Sequence, residues 1–152
     1  MDDAGFSTPE GVVSELYALV SAAPGASPDW EAVRALFIDE TVVVALENAA
    51  RDTTLVMQLD AFIDFLRAFI EGEMVREYGF EEKIIRMKPV LSGNMAHILT
   101  LYESRFPGLS DPPPWRGIDS IQLVKRGSRW QIVSITNDLP APDAPLPDAL
   151  RP

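Results

Sequence analysis

Residues 115–136 read WRGIDSIQLVKRGSRWQIVSIT. Two runs rich in β-branched and aromatic residues flank a turn over Lys125–Arg129, with Gly127 inside it. That pattern predicts a long antiparallel hairpin at the end of the chain. The first third is patterned differently, at helical spacing. Helices first and a strand meander last is an α+β order, distinct from the alternation of parallel βαβ units. A bent sheet closed by helices encloses space, so the order bears on function as well as fold.

Ser7-Thr8-Pro9-Glu10 reads as a helix start, with Ser7 as cap and Pro9 in the first turn. Val12, Val13, Leu16, Leu19 and Val20 then recur at helical spacing up to Pro24-Gly25. Ser27-Pro28-Asp29 opens a second helix carrying Trp30, Val33, Leu36 and Phe37. The short link between them makes the two helices neighbours. Thr41–Leu46 is β-branched and predicts a first strand, and residues 47–54 read as a loop. Leu59, Phe62, Ile63, Leu66, Phe69 and Ile70 form the strongest helical stripe. Phe65 widens it, as in a helix covered over much of its surface, and Gly72 marks its end. Residues 73–79 stay open between types. Phe80–Pro89 and Ala96–Phe106 read as strands about the turn Ser92-Gly93-Asn94, and 107–114 as an exposed loop.

At 152 residues one domain is expected, over residues 1–138. Residues 139–152 hold five prolines in fourteen positions and read as a proline-rich tail, extended or disordered. The chain has no cysteine and a single histidine, His97, which excludes thiolate chemistry and sites built on two imidazoles. No metal site is expected. The formal charge of −10 opposes phosphate backbones, so nucleic acid is an unsuitable partner. No apolar run approaches the ~18 residues of a membrane span, and the start lacks a signal-peptide pattern. A cytoplasmic protein with no membrane partner is expected.

Asp29–Phe37 after Tyr17-Ala18-Leu19, Asn94–Ile98 running into Tyr102–Arg105, Arg116–Leu123 and Gly127–Ile135 together resemble the nuclear transport factor 2-like superfamily. Within it they are similar to an uncharacterised bacterial branch of SnoaL-like and ketosteroid isomerase-like proteins. The similarity covers about residues 8–137. It implies a strongly bent antiparallel sheet wrapped around about three helices, a cystatin-like cone. It also implies a homodimer formed through the sheet's outer face, and no cofactor.

The cone implies a pocket for a small apolar or amphipathic molecule fixed by a few polar groups, although the tryptophans and phenylalanines could instead fill it. Tyr17 resembles an isomerase oxyanion donor, or it packs its ring and wets its hydroxyl. The matching base position falls at about Ala45, which accepts no proton. His97 and Asp119 are candidates for acid/base work beside Tyr17; His97 is alternatively a structural histidine. Tyr102, Glu103, Arg105 and Arg116 are candidate ligand-binding residues at the mouth. The last three and Asp119 could instead form cross-strand salt bridges on the solvent face. Three functions remain: a small-molecule-binding domain; a cofactor-independent isomerase, dehydratase or cyclase; and a non-catalytic dimerisation or association module.

Overall fold

The structure is a computed structural model that describes residues 3–48 and 52–152. Helix α1 spans Pro9–Val20. Its cap is Thr8 rather than Ser7: the Thr8 hydroxyl accepts from the Gly11 N–H at 3.0 Å, while Ser7 donates to the Ala4 carbonyl. Helix α2 is Trp30–Ala35, capped by Asp29. Strands β1, Val43–Asn48, and β2, Thr53–Gln58, form an antiparallel pair.

Strand β2 overlaps the segment read as a loop. It lies at a sheet edge with its side chains largely exposed, so ladder pairing with β1 holds it and burial leaves no periodic mark. Residues 49–51 of that expected loop lie outside the described residues. Helix α3 is Leu59–Ile70 and helix α4 is Glu73–Tyr78. Phe65 is exposed, so the covered stripe of α3 is narrower than expected.

The long strands are β3, Glu81–Ser92; β4, Met95–Arg105; β5, Trp115–Arg126; and β6, Arg129–Leu139. Gly127, at φ 61°, supplies the left-handed turn of the β5–β6 hairpin. The six strands run in the order β2-β1-β6-β5-β4-β3. Every pair is antiparallel except β1–β6, which is parallel. Pro89 falls on the edge strand β3, where a missing N–H is tolerated.

Cross-strand partners share a face, which divides the sheet into two surfaces. The inner face carries Ala96, Ile98 and Tyr102 of β4, Ile121 and Leu123 of β5, Ile132 and Ile135 of β6, and Val44 of β1. These pack against Val12, Val13, Leu16 and Val20 of α1 and Phe62 and Ile63 of α3 in one core. A second cluster holds Ile70, Val75 and Phe80, with Phe106 and Trp115 against it. Rings meet there edge to face between Phe69 and Phe80 at 4.9 Å and tilted between Phe106 and Trp115 at 5.5 Å.

The tail is neither fully extended nor loose. Asp148–Leu150 forms a 3-10 turn against β3 and β4, and Leu150 is fully buried. The prolines permit this because a 3-10 turn of three residues needs almost no ladder.

Gly117 sets the position of Tyr102. A Cβ at residue 117 would stand 2.2 Å from the Tyr102 Cζ and Oη. Gly117→Ala is expected to cost about 1–3 kcal/mol by overpacking. In thermal denaturation this appears as a fall of roughly 2–4 °C per kcal/mol for a domain of this size; an unchanged Tm would show that the ring moves freely.

Candidate functional site

The period-two alternation of β5 sends Asp119 inward and Ser120 outward. Asp119 is 8% exposed, and two side chains donate to it while a third bonds to one of them. The Tyr17 hydroxyl, from the middle of α1, donates to Asp119 Oδ2. Asn137 of β6, its direct cross-strand partner, donates Nδ2–H to Oδ1 at 2.7 Å. The same amide nitrogen donates to the Tyr102 Oη at 2.7 Å. The two tyrosine rings lie 5.2 Å apart. Asn137 thereby spends both amide hydrogens, whereas the Tyr102 O–H points to no acceptor among the described residues.

Burial pushes the Asp119 carboxyl up to about 6, against the opposing hydrogen bonds from Tyr17 and Asn137. No salt bridge among the described residues reaches it. A second carboxyl, Glu82 of β3, faces the same interior beside Ser104, whose hydroxyl lies 3.5 Å from Oε1. Burial, then the negative charge of Asp119, pushes Glu82 up to about 8, with Ser104 opposing. Both tyrosines are raised well above the ordinary phenol value, first by burial and next by Asp119. Thr100 pairs directly with Asp119 on the inner face. It is fully buried, and its hydroxyl has no hydrogen-bond partner.

Of the residues singled out from sequence, Tyr17, Asp119 and Tyr102 come together. His97 does not join them. It lies on the outer face, in the row Val90–His97–Gln122–Ser134, with Nε2 2.9 Å from the Ser120 Oγ. A full sheet thickness separates it from Asp119. Glu103, Arg105 and Arg116 are also on the outer face. Arg105 pairs with Glu81, Nη2 to Oε2 at 2.5 Å, and Arg116 donates to the Pro142 carbonyl at 3.1 Å. Glu103 and Arg105 line a surface depression of about 320 Å³ with Glu81, Lys83 and Pro114. The mouth cluster is therefore split, because Asp119 faces the opposite side.

The expected open hollow is closed over. Tyr17 and Tyr102 are 3% and 5% exposed and fill the space above Asp119, while Phe69, Phe80, Phe106 and Trp115 close the end near Glu82. Sequence reasoning missed Glu82, Asn137 and Thr100. Inward alternation from Phe80 would have marked Glu82; Asn137, at the end of a hairpin strand, resembles a turn residue and gave no signal.

No family model and no curated protein matches the chain. Solved structures do. An NTF2-like protein of unknown function from Pseudomonas putida KT2440 aligns at TM-score 0.68 and 13% identity, over 92% of this chain and 89% of that one. The fold is NTF2-like. A protein from Nostoc punctiforme with a cystatin-like fold aligns at TM-score 0.62 and 10% identity, over 90% of each chain. The CaMKII hub of S. rosetta aligns at 0.63 and 18%, over 90% of this chain and 98% of that one. At these identities the NTF2-like likeness fixes architecture and leaves the chemistry to the residues.

Both inner carboxyls bind protons more tightly folded than unfolded, from ordinary values of 3.8 for Asp119 and 4.5 for Glu82. Between the ordinary and the raised values the native state holds more protons, so stability falls as pH rises through that window. The Tm is expected to rise as pH is lowered from about 8 to about 5, and Glu82→Gln to flatten that slope in the upper half. An equal slope in the variant would remove Glu82 as its source. Separately, Thr100→Val should raise the Tm, since it removes a buried unpartnered hydroxyl costing about 1–3 kcal/mol. A lower Tm would mean that the hydroxyl is satisfied.

Proposed function

We propose that this chain is a small-molecule-binding domain whose ligand is taken at the Tyr17–Asp119–Asn137–Tyr102 cluster. The observation that carries the reading is a buried carboxylate without a salt bridge, facing the same interior as a second carboxyl of different proton affinity. Burying such groups costs stability, and strongly perturbed carboxyls gather where chemistry is done. At neutral pH Asp119, at about 6, is ionised, while Glu82, at about 8, keeps its proton. Two acids held apart in this way supply a base and a proton donor in one site.

The ligand chemistry follows from what is left unspent. Asp119 repels anions and accepts from a hydroxyl. Tyr102 has a free O–H to give to a carbonyl or ether oxygen. A neutral molecule with an apolar body and one polar head fits both. With Asp119 as base, Glu82 as proton source and Tyr17 holding the base in place, the reachable chemistry is cofactor-independent isomerisation, dehydration or cyclisation. A cytoplasmic location accords with this reading; no described helix is long and apolar enough to cross a membrane.

A second reading is self-association through the outer face of the sheet. It is favoured by Val43, Val56 and Val90, exposed there by 46%, 68% and 62%, and by the fold likeness to the CaMKII hub of S. rosetta.

Phenol, a neutral ring with one hydroxyl, tests the first reading by NMR titration. Wild type is expected to shift the amides of Gly117, Asp119 and Tyr102 and to prefer phenol over toluene. Asp119→Asn should weaken phenol about tenfold or more, as for a hydrogen bond to a charged group, and Tyr17→Phe less. Phenol that leaves those amides unmoved would remove the site from consideration.

A further inference from the structure

We propose that the C-terminal tail is a strap that gates self-association of this chain through the outer face of its sheet; the proposal rests on the second reading above. The tail leaves β6 at Leu139 and crosses the strands instead of following an edge. Over β5, Arg116 Nη2 donates to the Pro142 carbonyl at 3.1 Å. At the far side the Asp148–Leu150 turn meets β3 and β4, and the Arg86 guanidinium of β3 donates to the Leu150 carbonyl. Leu150 has no exposed surface.

The seat of Leu150 belongs to the outer face. Arg86, Leu101 and Ile118 are consecutive cross-strand partners, in register with Gly117–Tyr102 and Asp119–Thr100 on the side opposite the core. Leu101 is 3% exposed although it belongs to neither core cluster. A tail lying over it accounts for that burial. The remainder of the same surface holds Leu99 and Ser120 in the adjacent row, and Val90, His97, Gln122 and Val43 in the row beyond it.

Strap and partner exclude each other by geometry. Two sheets packed face to face stand about 10 Å apart, a gap that their own side chains fill. No polypeptide fits between them. With the strap seated, a second copy cannot reach Leu101 and Ile118. With it released, those side chains join Leu99, Ala45 and Val56 of the adjacent row as apolar surface open to a partner.

The fastening suits release. One leucine and two arginine–carbonyl bonds hold the tail, and most of residues 141–149 are exposed. Proline-rich backbone has no internal hydrogen bonds, so its carbonyls are open to guanidinium capture and return to water without breaking a ladder. The occupant of the freed face is a second copy of this chain. Its formal charge of −10 opposes the pairing, so association strengthens with salt.

The test is sedimentation velocity across a concentration series on the full chain, with limited proteolysis to report the strap. Leu150→Asp is expected to speed nicking of residues 140–147 and to tighten self-association at least tenfold, as when the competent state passes from rare to dominant. Arg86→Gln, which keeps the leucine, should move both readouts the same way by less, and it decides the matter if the aspartate variant fails to fold. Rapid nicking with association equal to wild type in a dimerising protein overturns the strap and leaves the second reading standing. Absence of self-association in wild type and variants alike, with the tail nicked and salt raised, overturns both.

Discussion

A single uncompensated charge in a hydrocarbon interior organises the inner face. Asp119 must be met by donors, and the fold brings them from elements distant in sequence: Tyr17 from the first helix, Asn137 from the last strand. Each donor then constrains its neighbours. Asn137 also holds the Tyr102 hydroxyl, and the Tyr102 ring can lie there only because Gly117 has no Cβ. Glu82, behind Tyr102, feels the Asp119 charge and keeps its own proton. Removing the charge would leave these groups as a set of buried polar atoms with little reason for their arrangement.

The two faces of the sheet do different work because strand alternation forbids mixing them. Inside, apolar side chains surround one polar cluster. Outside, charges pair locally, Arg105 with Glu81, and His97 takes Ser120. A Ser–His contact resembles the start of a nucleophilic site. Its place on a half-buried outer row, with no acid among the described residues bonded to the ring, gives it the character of a cross-strand hydrogen bond.

Most of the architecture is legible in the sequence because it is written in burial. Helix α1, helix α3 and the β5–β6 hairpin carry apolar repeats that packing requires. Strand β2 carries none, since its stability comes from pairing with β1. The site is half legible for the same reason. Alternation along one strand tells that Asp119 and Ser120 point opposite ways, but not which faces inward; the register across β4, β5 and β6 decides that. His97 and Asp119 look compatible until register puts them on opposite sides. Glu82 is readable only once Phe80 is taken as inward, and Asn137 resembles a turn residue that only the tertiary fold shows to be enclosed. The tail misleads in the opposite direction: its composition indicates looseness, while one leucine fastens it.

Leu101 and Tyr102 are chain neighbours, yet one lies under the strap and the other bonds into the acid–base cluster. Their proximity invites the idea that seating the tail tunes the site. Hydrogen bonding argues otherwise. Among the described residues no hydrogen-bond partner of Asp119, Asn137 or Tyr102 comes from the tail, and β4 is held by its own ladders to β3 and β5. Releasing the strap changes what the outer face can touch and leaves the donors to Asp119 in place. Without an element that has two arrangements shared by both faces there is no route for coupling. The sheet therefore acts as a partition: the hydrogen-bond partners of Asp119 and Glu82 all lie on its inner side, away from the tail.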